Sequence, residues 1–249
     1  SISSSPWAGV TLGAASGAAG PYTVRGISVA GIYTSIAVPQ LDALFDVGVA
    51  MRSAAGCNHL FLSHAHADHI GALGALLGMR GILSGLAPLR IFLPAEILED
   101  VTAMLAPMSR MQRYGFAYEL VPMLPEQIVP LYADLSVQAH RTFHPVPSLA
   151  FSLRRTVQRL RPEFSGLAGR DIAERRRRGD DLFTAHTTVE LAYATDTLVN
   201  VLDGTPALAA ARVLILECSF LDERKDVKTA RAGCHIHLEE LIERARPFL

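Results

Sequence analysis

The chain has 249 residues, 50% of them hydrophobic and 19% charged, a globular composition that excludes intrinsic disorder and is long enough to bury a substantial core. Its formal net charge of −1 excludes a global pull towards nucleic acid, so any RNA binding must come from a local patch. The 3 cysteines, Cys57, Cys218 and Cys234, have no paired or finger spacing, which excludes a disulfide framework; they are expected to be small buried residues of a reducing, cytoplasmic protein.

Residues 1–20 are rich in Ser, Gly and Ala and lack the basic start and apolar core of a secretory signal, so a loosely held or processed terminus is expected. No apolar stretch is long or unbroken enough for a membrane helix. Residues 23–49 read as two or three short strands, with Val24, Ile27, Val29 and Ile32 interleaved with small or polar residues. The run from Leu41 is a further strand that ends in the turn Asp46-Val47-Gly48.

The apolar run His59-Leu60-Phe61-Leu62 is followed at once by Ser63-His64-Ala65-His66-Ala67-Asp68-His69-Ile70-Gly71. A buried strand fixes the backbone and the tight turn after it aims alternate imidazoles at one spot. Imidazole with carboxylate suits zinc or a similar transition metal. Packing alone does not explain His64, His66, Asp68 and His69 at this spacing, whereas the isolated His59, His140 and His186 read as satisfied core or surface residues.

Residues 71–79 then read as a helix, Leu89–Leu93 as a buried strand, and Ala95–Met108 as an amphipathic helix whose methionines fill the core. Strands follow near Tyr118–Val121, Gln127–Leu131 and Leu135–Phe143, the last ending at His144-Pro145-Val146-Pro147-Ser148. Alternating strand and helix, with several antiparallel-looking runs, fits two sheets between helix layers. In residues 154–178 nine arginines, ending in Arg175, Arg176, Arg177 and Arg178, face only Glu163, Asp171 and Glu174. Such a run is commonly a solvated helix face, but Arg also suits bidentate phosphate recognition, and this excess lies between two candidate metal ligands. Glu190–Thr197 is a strand ending at Asp196, Arg212–Leu221 is another, and Gly233-Cys234-His235-Ile236-His237 opens a helix.

The His-x-His-x-Asp-His stretch resembles the first metal motif of the metallo-β-lactamase fold. His144-x-x-x-Ser148, Tyr193 to Thr197, His235-x-His237 and the stretch Arg161–Ile172 together resemble the short-form, plant-type ribonuclease Z branch, from about Gly26 to Leu241. One departure is Thr195, where the family has Gly before the aspartate.

The resemblance implies a single four-layer αββα metallo-β-lactamase domain with an Arg-rich insertion at about 154–180. It also implies endonucleolytic removal of the 3′ trailer of precursor tRNA. By the same resemblance His64, His66 and His144 hold one metal, Asp68 and His69 a second, and Asp196 lies between them. Asp68 would orient the attacking hydroxide. A non-ligand histidine, His237 first and His235 second, would assist cleavage; a plain helix-start pair is the structural alternative. Ser148 and Arg175–Arg178 are expected at the substrate. The implied cofactor is zinc, one or two ions, and the implied partner is RNA; no membrane is involved and a homodimer is left open.

Two other readings stand beside this one. The first is another hydrolase of the fold, acting on a cyclic nucleotide, a different nucleic acid or a small ester. The second is a non-catalytic RNA-binding relative with a degraded metal site. The family's last strand, with a further metal-binding histidine, is not found before Leu249. On that ground this form is expected to hold at most one metal firmly and to be weakly active or inactive.

Overall fold

In the computed structural model, which describes residues 14–83 and 85–246, the strands sort by chain position into two sheets, one in each of two compact units. The described residues up to Met123, with 145–149, form the first unit; Leu124–His144 and the residues from Ala150 onward form the second.

The first unit carries β1 (Ala15–Ala19), β2 (Tyr22–Val29), β3 (Tyr33–Val38), β4 (Ala43–Phe45), β5 (His59–Phe61), β6 (Leu89–Pro94) and β7 (Tyr118–Met123), hydrogen-bonded in that order. Neighbours from β1 to β4 pair antiparallel, and those from β4 to β7 pair parallel. The parallel half reads in sequence as continuous apolar runs because both faces of such strands are buried. Leu60, Leu62, Ile91 and Leu93 share a core with Leu73, Leu76 and Leu77 of α2 (Leu73–Ile82) and with Val101 and Leu105 of α3 (Leu98–Gln112). The residues between them in sequence, Phe61 and Phe92, stack at 4.9 Å on the other face. The single-turn helix α1 (Ala67–Ile70) stands between β5 and α2.

Gly74 of α2 lies where an added Cβ would meet the Met108 side chain at 2.0 Å, so that methionine does fill the gap between the two helices. Met104, by contrast, is largely exposed. Two expectations change here. Ala15–Ala19 pairs with β2 in register and is no loose terminus, while residues 1–13 lie outside the described residues. Of the cysteines only Cys57 is buried, and burial pushes its thiol up to about 11.

The second unit carries β8 (Ile128–Pro130), β9 (Leu135–Arg141), β10 (Leu149–Leu160), β11 (Phe183–Ala194) and β12 (Leu214–Leu216), in the order β12-β11-β10-β9-β8. Strand β9 alternates apolar and polar residues and buries Leu135, Val137 and Ala139. Strands β10 and β11 form one long antiparallel hairpin whose near ends are buried and whose far ends are exposed. Its tip holds α4 (Gly169–Arg178), stopped by Gly179 at φ 88°. The Arg-rich stretch expected as an insertion from 154 therefore begins inside a strand: Arg154 and Arg155 pair with Val189 and Thr188. The short helices α5 (Val201–Gly204) and α6 (Pro206–Ala209) cover Ala150, Ala192 and Ala194. After β12 come α7 (Val227–Ala232) and α8 (Leu238–Ala245). Among the described residues no helix is long and apolar enough to cross a membrane.

The turn Asp46-Val47-Gly48 ties β4 to the residues after β5. Val47 N–H donates to His69 O at 2.7 Å, Gly48 N–H to Thr34 O at 2.9 Å, and Ala72 N–H to Val47 O at 2.9 Å. A Cβ on Gly48 would lie 1.9 Å from Asp68 O and 2.7 Å from Thr34 N, both backbone atoms that cannot swing away. Gly48→Ala is expected to cost about 1–3 kcal/mol, as overpacking does. Urea unfolding of the two proteins checks this, and an unchanged midpoint would show that the turn tolerates a side chain.

Candidate metal centre

In the first unit the donors stand at the carboxyl end of the parallel strand β5, where open α/β sheets place their ligands. Asp46 is the hub beneath them. It is fully buried, sits at φ 55°, and accepts from Ser63 N–H at 2.7 Å, from Ser63 Oγ–H at 2.8 Å and from His69 Nδ1–H at 2.8 Å. Because Ser63 spends its proton on Asp46, its oxygen accepts from His64 Nδ1–H at 2.9 Å. These bonds set both tautomers and leave Nε2 of His64 and of His69 as the lone-pair nitrogens, the arrangement that metal-binding histidines require.

His64 Nε2 lies 3.1 Å from His66 Nδ1, and His69 Nε2 lies 3.5 Å from Asp68 Oδ2. Two donor atoms on one tetrahedral zinc, each at 2.0–2.1 Å, stand about 3.3 Å apart. Both pairs match that spacing, so the residues present fit a metal ion. The local fold explains the convergence. His64 and His66 are extended residues leaving β5, and α1 then turns the chain through His69 N–H and Ile70 N–H, both bonded to His66 O, at 2.9 and 3.1 Å. That one turn brings Asp68 and His69 back beside His64, whose ring lies 4.2 Å from that of His69. Ser148 precedes Leu149, whose N–H donates to Ser63 O at 2.9 Å, and so stands next to this end of β5.

In the second unit His144 follows β9 and Asp196 follows β11, the latter at φ 44°. Thr197 links these two strand ends: its hydroxyl accepts from Phe143 N–H at 3.0 Å, and its own N–H donates to Glu217 Oε1 at 2.6 Å. Glu217 also accepts from Ser219 Oγ–H at 2.6 Å and from His235 Nδ1–H at 3.2 Å. The His235 ring lies 6.3 Å from that of His144. Asp196, Glu217 and His235 bring donor atoms within 4.8 Å of one another. Glu217 nevertheless suits orientation better than ligation, because its oxygens are occupied by backbone, hydroxyl and imidazole donors. It fixes the His235 tautomer by accepting the Nδ1 proton, as a carboxylate does behind a catalytic imidazole.

Glu217 was not singled out in the sequence, where an acid at a strand end has no distinguishing spacing. The two late histidines stand in different surroundings. His237 is buried at the N-cap of α8, where Nδ1 accepts from Glu239 N–H at 3.2 Å and Nε2 lies 3.2 Å from Asp222 O. Glu240 closes the capping box on His237 N–H at 3.1 Å. Nδ1 of His237 thus serves the helix start and its Nε2 the Asp222 carbonyl of the preceding loop, and His235 is the histidine beside Asp196 and Glu217.

The isolated histidines behave as expected. His59 packs beside the stacked Phe61 and Phe92, and His140 is buried against Ser152 with its pKa lowered by desolvation. Arg175–Arg178 lie on the exposed α4 at the hairpin tip, with Arg175 over the Phe164 ring at 5.6 Å and Arg176 over Phe183 at 5.9 Å.

Replacing Asp46 by Asn keeps the shape but turns an acceptor into a donor facing the Ser63 hydroxyl and His69 Nδ1. Metal affinity is expected to fall 10–100-fold, the usual effect of losing an orienting group, and stability to fall by about 1–3 kcal/mol. Chelator competition and urea unfolding of Asp46→Asn measure the two effects. Unchanged affinity would remove Asp46 from its orienting role.

No protein-family model matches the chain. It is 34% identical over 227 residues to the chloroplastic tRNase Z TRZ2 of Arabidopsis thaliana, covering 90% of this chain but only 64% of that protein. With tRNase Z TRZ1 of the same plant it shares 33% over 230 residues, 91% of this chain and 81% of the relative. Among solved structures, the short form of human tRNase Z matches 94% of this chain and 86% of its own, at a TM-score of 0.55 and 17% identity. The metallo-β-lactamase fold protein YhfI of Bacillus subtilis matches 90% and 73%, at 0.54 and 19%. The chain therefore has the metallo-β-lactamase fold and belongs to the tRNase Z (ribonuclease Z) family.

Proposed function

We propose that this chain is a metal-dependent phosphodiester hydrolase that cuts the 3′ trailer from precursor tRNA. The observation that carries the reading is the 33% identity to a tRNase Z over 91% of the chain, with the histidine–aspartate donors kept in metal-binding tautomers. In this reading His64 and His66 hold one ion and Asp68 and His69 another in the first unit, and His144 and Asp196 of the second unit are ligands by the family pattern. Imidazole and carboxylate donors without thiolate favour zinc over softer-ligand metals. Bound zinc would supply a water acidified to a pKa of about 7 and charge neutralisation at the phosphoryl oxygens.

The chain's own residues supply the rest. Asp68, partly exposed beside His69, orients the attacking water by accepting its hydrogen bond. His235, backed by Glu217 on Nδ1, takes up a proton on Nε2 and passes it to the leaving oxygen. Ser148, at the end of β5, is placed to touch the substrate backbone. The arginines of α4 hold the RNA away from the chemistry through its phosphates, which fixes register without reading bases.

A 3′-extended tRNA transcript, incubated with the zinc-loaded chain, is expected to be cut slowly and only at the trailer junction, and to be spared after chelation. A cyclic nucleotide assayed alongside should turn over poorly. Efficient hydrolysis of the cyclic nucleotide with an intact transcript would replace this reading with that of a nucleotide phosphodiesterase. Replacing Arg175–Arg178 by Ala should weaken transcript binding and reduce its log–log salt slope by up to about 3, while leaving a small generic phosphodiester untouched. Equal losses on both substrates would make the arm a support of the fold.

A further inference from the structure

Thr195 stands directly before Asp196, and its side chain is not idle. It is 7% exposed, follows the last residue of β11, and donates its γ-hydroxyl proton to Asp196 Oδ1 at 2.9 Å. Its neighbour Thr197 is committed elsewhere, accepting from Phe143 N–H at 3.0 Å. A carboxylate has a broad terminal torsion, so the backbone alone does not fix where its oxygens point. Asp196, at φ 44°, has its Cα–Cβ direction set by the left-handed turn; the threonine hydroxyl sets the remaining torsion. Threonine suits this task because its β-branched side chain is stiff at χ1, and burial keeps water from competing for the bond.

We propose that Thr195 is a positioning residue that locks the Asp196 carboxylate, holding Oδ1 by a hydrogen bond and presenting Oδ2 as the ligand atom. The inference rests on the reading of Asp196 as a metal ligand. It gives the second unit the same kind of hydroxyl-to-carboxylate bond that Ser63 makes with Asp46 in the first. A pre-oriented carboxylate loses less conformational freedom on binding an ion, so affinity rises without a new ligand. Glycine at this position would leave the carboxylate to orient on binding.

The test compares the full chain with Thr195→Val, Thr195→Ala and Thr195→Ser. Zinc dissociation constants are read by chelator competition, and urea unfolding of the metal-free proteins is read in parallel. Val and Ala remove the hydroxyl and should each bind zinc 10–100-fold more weakly, whereas Ser keeps it and should stay within about threefold of the parent. Should Val fail to fold, the contrast between Ala and Ser carries the same information. Val or Ala binding as tightly as the parent overturns the inference while leaving Asp196 a ligand. So does a Ser variant as weak as Ala, since the loss then follows packing and not the hydroxyl. A parent chain with no measurable zinc affinity overturns both the inference and the metal reading beneath it.

Discussion

A single buried carboxylate, Asp46, organises the first unit's end of the site. Its oxygens take the Ser63 amide, the Ser63 hydroxyl and the His69 ring, and through Ser63 they also set His64. Burying an ionised group without partners is costly, so the turn Asp46-Val47-Gly48 and the loop after β5 must fold together or not at all. Gly48 permits the close approach to Asp68 that this requires, and the Val47 and Ala72 backbone bonds complete the junction. Two histidine tautomers therefore follow from one aspartate that precedes the two rings by 18 and 23 residues.

The second unit solves the same problem by other means. Its donors come from strand ends separated widely in sequence, His144 after β9 and Asp196 after β11, and Thr197 and Glu217 join those ends by hydrogen bonds. Glu217 does for His235 what Asp46 does for His69, accepting the Nδ1 proton so that Nε2 is available. Fold by itself does not choose among the hydrolases built on this scaffold. The relatives make that choice, and these hydrogen bonds explain how the chemistry would be positioned.

How legible the site was in the sequence follows from how local its parts are. His64, His66, Asp68 and His69 lie within one turn, so their spacing alone announces convergence. The parallel strands around them are unbroken apolar runs. Glu217 was not visible because its role is made by partners 18 to 20 residues away, Thr197 and His235, which no local pattern displays. His237 was preferred over His235 from alignment to a motif. Glutamate three residues after His237 is a capping-box pattern, and that signal would have marked His237 as the helix cap. Charge bounds the arginine stretch at 154, yet Arg154 and Arg155 lie within β10 and pair with β11, so strand pairing and not composition decides where the arm begins. Ala15–Ala19 was read as loose because small residues pack little, but pairing to β2 needs only their backbone.

On the proposed function, histidine and carboxylate side chains held in fixed tautomers form the metal centre, and none of the three cysteines takes part. X-ray absorption at the zinc edge of the loaded chain tests this most directly. The account predicts a shell of nitrogen and oxygen at about 2.0–2.2 Å, with the outer-shell scattering of several imidazoles. A sulfur shell at about 2.3 Å would contradict it, placing the metal on Cys57, Cys218 or Cys234 and the site somewhere other than the end of β5.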